Sequence, residues 1–385
     1  MWVKPWSMKE GFLIGGGLLV VGLLLQMVLG PIDWSRVAWP VNLVLLVLLL
    51  AAVSILYALH LKVYVFEWMM HMGAAVPCLT YAVALTLTMG LIPQVEEGVP
   101  WLSQMLRFWP FVLIWAWMML ISALATLNHV FRWKFREIPF ILNHLGVFVT
   151  VVSATLGNPD IHPVYFTASG GGMMLVDPWG GWVRAGIFLM LAGSVCLLLF
   201  MTPKIAARRF FVRILGGVLL LAAAFLYLTF TVTGPFLHNP NPMLQSPWFL
   251  PHVVVYMFAY ALLAAAMVMA AYMLIRRKIT EKEINLTDNL VYVGLAFLTF
   301  GMLFGALWAK EAWGTYWSWD PKETWAAATW LCYLVYLHLR KAKPGEWRTA
   351  CVILLVSFVC LQICWWGINY LPSAQGLSIH TYNVK

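Results

Sequence analysis

WGTYWSWDPKETW, residues 313–325, gathers four tryptophans, a tyrosine, Asp320 and Glu323 into thirteen positions between two long apolar runs. Lys310 and Glu311 stand just before it. The flanks decide what it is. Residues 290–308 and 323–340 are each apolar over the roughly 20 residues that a bilayer-crossing helix needs. The whole chain follows them: 63% of its 385 residues are hydrophobic and 10% are charged, where a soluble domain carries about 25% charge. Its mean hydropathy is +0.84. No soluble fold of this length buries so much apolar surface, so the composition predicts an all-α, polytopic integral membrane protein. The net charge of +9 then reports cytoplasmic loops, which accumulate Lys and Arg, and not a nucleic-acid partner.

Eleven spans are predicted: 11–30, 41–60, 72–92, 109–128, 139–157, 184–201, 212–231, 252–275, 290–308, 323–340 and 349–369. Residues 1–10 are short and basic, without a cleavage site behind them, and introduce a first anchor helix. With the N-terminus cytoplasmic, 18 of the 24 Lys and Arg fall in inside segments, which favours an inside N-terminus and an outside C-terminus. The chain then divides into a five-helix membrane region at 1–157, an outside loop at 158–183, and a membrane region at 184–385 carrying the aromatic loop 309–323. Gly301 and Gly305 form a G-x-x-x-G pair beside that loop, suited to close helix packing. The six cysteines lie in or near apolar runs and none forms a C-x-x-C. They read as small buried hydrophobes, not a redox motif or zinc site.

This topology sets the aromatic loop outside. Trp and Tyr concentrate at membrane interfaces, which accounts for aromatics but not for two acids three residues apart. Asp320 and Glu323 suit a helix start, as cap and first-turn acid around Pro321. A contact to a ligand or partner remains open for both. The rings suit a planar ligand that stacks, with Lys322 available to an anionic group. Among the nine histidines, His252 and His380 fall at the level of the loop. His338 lies fifteen residues past Glu323, about 22 Å deeper at 1.5 Å per residue, and His144 also lies toward the inner side. Histidines in membrane helices are functional candidates. Paired imidazoles can hold a haem iron from both faces or relay protons.

The pattern Trp313, Gly314, Trp317, Trp319, Asp320, Glu323 resembles the tryptophan-rich WWD signature of haem-handling membrane proteins. That superfamily includes CcsA (ResC), CcmC and CcmF. The continuation PKETWAAATWLCYLVYLHLR, the segment PHVVVYMFAYALL and the tail GLSIHTYN resemble CcsA, over about 184–385. FILNHLGVFV, within 109–157, is similar to a helix of the partner protein ResB, with which CcsA is fused in some chains. The resemblance implies a system II role in cytochrome c maturation at a bacterial cytoplasmic membrane. Haem b would be carried as substrate, presented outside and joined by thioether bonds to the C-x-x-C-H of apocytochrome c. It implies a component of a holocytochrome c synthetase, working with thiol-reducing proteins and, where ResB is separate, a ResB-like subunit. The haem-iron ligands implied are His252 and His380 at the outer site, and His338 with His144 at the inner one, His129 being the substitute for His144. Trp313, Gly314, Trp317, Trp319, Asp320 and Glu323 would form the haem-binding surface. The large ResB outer domain has no counterpart here beyond 158–183. A CcmF- or CcmC-type handler, or a transporter with a histidine relay and no haem, are the alternatives.

Overall fold

The structure is a computed structural model that describes residues 4–37, 40–95, 98–134, 137–156, 165–169, 172–176, 180–201 and 246–374. Its helices are α1 (Met8–Leu29), α2 (Val41–Leu59), the short α3 (Tyr64–Trp68), α4 (Met72–Leu91), α5 (Trp109–Phe131) and α6 (Ile138–Leu156), then α7 (Gly180–Met201), α8 (Phe249–Arg276), α9 (Glu281–Trp313), α10 (Pro321–Ala342) and α11 (Trp347–Trp365). Among the described residues, seven of them are long and apolar enough to cross a membrane: α1, α2, α4, α5, α8, α9 and α11. The span expected at 212–231 lies outside the described residues.

The loop expected at 158–183 contains regular structure. Strands β1 (Tyr165–Ser169) and β2 (Gly172–Val176) pair antiparallel, with Tyr165 opposite Val176. The glycine run at 170–172 reads as loop in the sequence, which predicts neither strand. The hairpin leads into α7, which begins four residues earlier than expected.

In α1, burial is inverted relative to a soluble bundle. The buried residues of α1 are Glu10, Gly11, Gly15, Gly22 and Gln26, while Val20, Leu24 and Val28 are exposed. Lipid is as apolar as leucine, so small and polar residues turn inward, where close backbone approach and hydrogen bonds hold helices together. A methyl at Gly11 would meet Gly73 O of α4, and one at Gly22 would meet Pro110 of α5. The helix α10 is the opposite case. Lys322, Glu323, Arg340 and Lys341 sit at its ends and Trp, Tyr and Thr along it, so it is not among the seven. It is packed by α4 on one side and α11 on another, with Leu331, Tyr333 and Tyr336 buried. A helix enclosed by other helices has no need of an all-apolar surface.

One core joins α8, α9, α10 and α11 through Leu263, Val291, Leu298, Tyr336 and Leu354. A second joins α4, α5 and α10 through Leu79, Ile114, Trp117, Leu331 and Val335. The two share the partly buried Trp330 and Leu334 of α10, which makes that helix the central post. The end of α10 is pinned to the start of α9. Asp288 receives Arg340 Nε at 3.0 Å and Nη2 at 3.0 Å, and Tyr336 Oη donates to it at 2.6 Å. Such a two-pronged guanidinium–carboxylate pair fixes geometry as well as charge.

Candidate functional site

The loop begins where α9 stops. Gly314 takes φ +83° at the C-cap, a left-handed conformation that glycine adopts without Cβ strain. Lys310 Nζ donates to Gly314 O at 2.9 Å. The loop ends on a capping box. Asp320 Oδ1 accepts from Lys322 N at 2.8 Å, and Glu323 Oε2 reaches back to Asp320 N at 3.3 Å, with Pro321 at the first helical position. Glu323 Oε2 also accepts from Ser318 N at 2.7 Å. Both acids are therefore engaged in starting α10, and both are buried. Glu323 in addition lines a cavity.

That cavity measures about 370 Å³ and lies between α8, α9, the loop, and the starts of α10 and the end of α11. His252 and Tyr256 of α8 enter it on one side. Trp317, Lys322 and Glu323 enter on another, and Cys364 and Trp365 close a third. The G-x-x-x-G pair explains how the imidazole gets there. A methyl at Gly305 would lie 2.7 Å from His252 Cε1 and Nδ1, and one at Gly301 would lie 2.9 Å from the Tyr256 ring. Only hydrogen at these two positions leaves room for both rings. His252 Nδ1 donates to Gly301 O at 2.8 Å, which sets the tautomer with the lone pair on Nε2. Tyr256 stands edge-on to the imidazole at 4.8 Å between centroids, and Trp308 lies at 5.5 Å.

The loop's aromatics divide. Trp317 faces the cavity. Trp319, whose φ is +57°, turns toward α5 and meets Phe111 at 5.8 Å and Trp115 at 5.4 Å, both edge-on. A bulky residue in the left-handed region is strained by about 1–3 kcal/mol, and this packing is what offsets it. Trp325 is 2% exposed and donates Nε1 to Gly90 O of α4 at 3.2 Å. The side chain of Trp313 lies outside the described residues, as does His380.

Three other candidate histidines, His129, His144 and His338, assemble at the opposite end of the bundle. His129 near the end of α5 and His144 near the start of α6 have ring centroids 5.7 Å apart, tilted by 31°. His338 and Lys341, from the end of α10, lie near His144, and Lys341 Nζ sits 4.6 Å from the Phe140 ring. His144 Nδ1 donates to Phe140 O at 2.8 Å, and His338 Nδ1 to Leu334 O at 2.8 Å. Both rings are thereby set with the lone pair on Nε2. His129 Nδ1 pairs with Glu137 Oε2 at 2.7 Å.

The structure thus brings His252, Trp317 and Glu323 to one cavity, and His144, His129 and His338 to one distant cluster. It turns Trp319 away from the cavity. Sequence reading overlooked Tyr256, Trp308 and Cys364. The first had a signal: His252 and Tyr256 are four apart on α8, as Gly301 and Gly305 are on α9, and antiparallel packing matches each ring to one glycine. Cys364 had none, because its role as cavity wall depends on how α11 docks. All six cysteines are free thiols; Cys78, Cys332, Cys351 and Cys360 are buried, and Cys196 and Cys364 are half-buried. Cys332 and Cys360 approach to 4.0 Å across α10 and α11.

A family model described as cytochrome C assembly protein matches residues 179–374. Curated relatives similar to this chain include the cytochrome c biogenesis protein CcsA of Chlamydomonas reinhardtii, 42% identical over 152 residues, covering 37% of this chain and 42% of the relative. The CcsA of Guillardia theta is 36% identical over 171 residues, covering 37% and 56%. That of Pelargonium hortorum is 46% identical over 94 residues, covering 24% and 28%. The chain spans about half the length, or less, of these relatives. No solved structure matches it.

Proposed function

The chain belongs to the cytochrome c assembly protein family, and from that premise we propose that it handles haem for cytochrome c maturation. It is a multi-pass membrane protein. In this reading haem b is the carried substrate, received at the histidine cluster formed by His338 with His144 or His129, and presented at the cavity under the aromatic loop. The observation that carries the reading is the cavity itself, where an imidazole of fixed tautomer, flat aromatic walls and the ammonium-bearing Lys322 meet at one end of the bundle. An apolar planar macrocycle with anionic substituents calls for those three features together.

His252 supplies one axial nitrogen to the iron in this scheme and His380 the other. Support for the second comes from the tail. Ser373 Oγ donates to Gly90 O at 2.7 Å, the same carbonyl that receives Trp325 Nε1. Ala374 is buried beside Trp325. His380 follows six residues further along the chain, and six residues span at most about 20 Å. Trp317 stacks the macrocycle and Lys322 meets a carboxylate. Trp313, Gly314, Trp319, Asp320 and Glu323 complete the haem-binding surface, the acids by starting α10 and Trp319 by anchoring the loop to α5. The chain needs no nucleophile, because the substrate's cysteine S–H bonds add across the vinyl C=C bonds.

We further propose eleven spans with an inside N-terminus, from the distribution of Lys and Arg. The proposed setting is a bacterial cytoplasmic membrane, with apocytochrome c as partner. The division at 157 and 184, the ResB likeness of 109–157, and a separate ResB-like subunit and thiol reductant belong to the same proposal. Purification with and without His252→Ala plus His380→Ala tests it. The expected result is loss of a bis-histidine haem spectrum and of c-type cytochrome formation in cells. Unchanged haem content and unchanged maturation would overturn the outer site. Haem absent from the unaltered protein, with histidine-dependent proton movement, would favour a relay transporter instead.

A further inference from the structure

Three tyrosines lie on α8, and two of them are partnered. Tyr260 Oη accepts from Gln362 Nε2 at 2.5 Å, and Tyr272 Oη accepts from Arg276 Nη1 at 3.0 Å. Tyr256 is the exception. Its ring is held against Gly301 and edge-on to His252, yet its hydroxyl makes no hydrogen bond among the described residues. Nor is that hydroxyl sealed in the protein, as the unpartnered Tyr333 Oη is. It lies near Cys364 and Glu323, and all three residues line the cavity under the aromatic loop. The phenol is therefore an open donor on the wall of that cavity.

Its polar neighbours are occupied elsewhere. Cys364 Sγ donates to Lys322 O at 3.7 Å. Glu323 Oε2 accepts from Ser318 N, Ser318 Oγ and Asp320 N. Phe249, Val253, Met302 and Leu361 make much of the remaining wall apolar. A buried tyrosine O–H normally finds an acceptor, and a ligand that displaces water from such a group has to replace the hydrogen bond or lose affinity. Haem offers few acceptors. Its four ring nitrogens are bound to iron, and its rim is hydrocarbon apart from two carboxylates on one edge. Lys322 meets a carboxylate in the proposed scheme. Tyr256 and Lys322 share Cys364 as a neighbour, so the two donors belong to one corner of the cavity, as two carboxylates on one edge require.

We propose that Tyr256 Oη donates a hydrogen bond to a haem carboxylate, and that Tyr256 thereby selects and orients the macrocycle in this cavity. This rests on the haem reading of the cavity and deepens it. Tyr256 follows His252 by one turn of α8, about 6 Å further from the loop at 1.5 Å per residue. A carboxylate held there belongs to the deep edge of the macrocycle. The vinyl groups of haem b stand on the edge opposite the carboxylates, so they are left toward the loop, where an arriving thiol reaches them. A hydrogen bond to a charged oxygen is among the strong ones, and a site built around it rejects a ligand that lacks the group. Tyr256 is thus a specificity-determining residue, separate from the imidazole that binds iron.

The test titrates detergent-purified wild type, Tyr256→Phe and His252→Ala with haemin and with haemin dimethyl ester, followed by Soret absorbance. The quantity read is the ratio of the ester's Kd to that of the free acid. Comparing this ratio between proteins cancels the greater partition of the ester into micelles. The wild type should prefer the acid, and Tyr256→Phe should lower the ratio about tenfold or more, as expected for a lost hydrogen bond to a charged group. A merely structural role for the ring would weaken both ligands alike and leave the ratio unmoved. The melting temperature of Tyr256→Phe without haem should equal that of the wild type, because the hydroxyl bonds to nothing in the chain. A lower melting temperature, or an unchanged ratio with binding that still depends on His252, overturns this inference and leaves the haem reading standing. Haem that does not bind the wild type, or that binds His252→Ala equally well, overturns the haem reading and this inference with it.

Discussion

Gly305→Ala tests how His252 is held. The added methyl carbon would stand 2.7 Å from both Cε1 and Nδ1 of the imidazole, about 1 Å inside ordinary carbon contact. The clash is with a ring, not with the tip of a flexible chain, so the ring has to swing. Swinging it breaks the 2.8 Å bond from Nδ1 to Gly301 O. Overpacking of this sort costs about 1–3 kcal/mol, and the lost hydrogen bond about 1 kcal/mol. Alanine recovers about 1 kcal/mol over glycine in a helix interior. The net is about 1–3 kcal/mol, and since 1.4 kcal/mol is tenfold in affinity, binding that depends on His252 weakens roughly 5- to 150-fold. The assay is a haem titration in detergent followed by Soret absorbance, with a melting curve on the same samples. Gly17→Ala on α1 is the control, because nothing lies within 4 Å of its added methyl, and it should be neutral or slightly stabilising. A Gly305→Ala protein that melts and binds haem like the wild type would refute the account of the glycine pair.

The acids can be separated from any ligand contact by Asp320→Asn, since asparagine caps about as well as aspartate. Unchanged maturation and melting are expected, whereas lost maturation in a stable protein would reveal a further role. Trp319→Ala removes packing on Phe111 and Trp115 and should cost about 3 kcal/mol, by analogy with other large-to-small core changes, visible as a lowered melting temperature. Trp317→Ala should leave melting nearly unchanged and alter the haem spectrum. Asp288→Ala strands the Arg340 guanidinium beside Tyr336, and breaking such a pair costs about 3–5 kcal/mol. Adding Arg340→Met should recover much of that in the melting curve, and no recovery would refute the ion-pair account. His338→Ala should lower total haem loading measured by pyridine haemochrome, because the cluster at that end feeds the cavity in the proposed route. Full loading would argue against a sequential path.

Several helix limits were legible in the chain. The run 41–60 becomes Val41–Leu59, and 139–157 becomes Ile138–Leu156. Hydropathy located them because lipid selects apolar residues one by one. The same signal failed at α9, expected from 290 and starting at Glu281. Its first two turns carry Glu281, Lys282, Glu283 and Asp288, and they are held by the Thr280–Glu283 capping box and the Arg340 pair. Those are directional interactions that an apolar tally does not register. The aromatic loop also read as one surface. In the folded chain it is split, with Trp317 to the cavity, Trp319 to α5 and Trp325 to Gly90.

The sequence by itself determined the class of the protein, the capped start of α10, and the residue types on which a haem site could draw. These follow from composition and from contacts a few residues apart. Only the tertiary structure decided which rings share a cavity, that two glycines on α9 admit His252 and Tyr256 of α8, and that α4 and α5 brace the loop from outside the family-matched region. Those outcomes depend on how helices dock. Docking is set by small residues, backbone approach and side-chain direction summed over two surfaces far apart in the chain, and no local pattern in either surface specifies its partner.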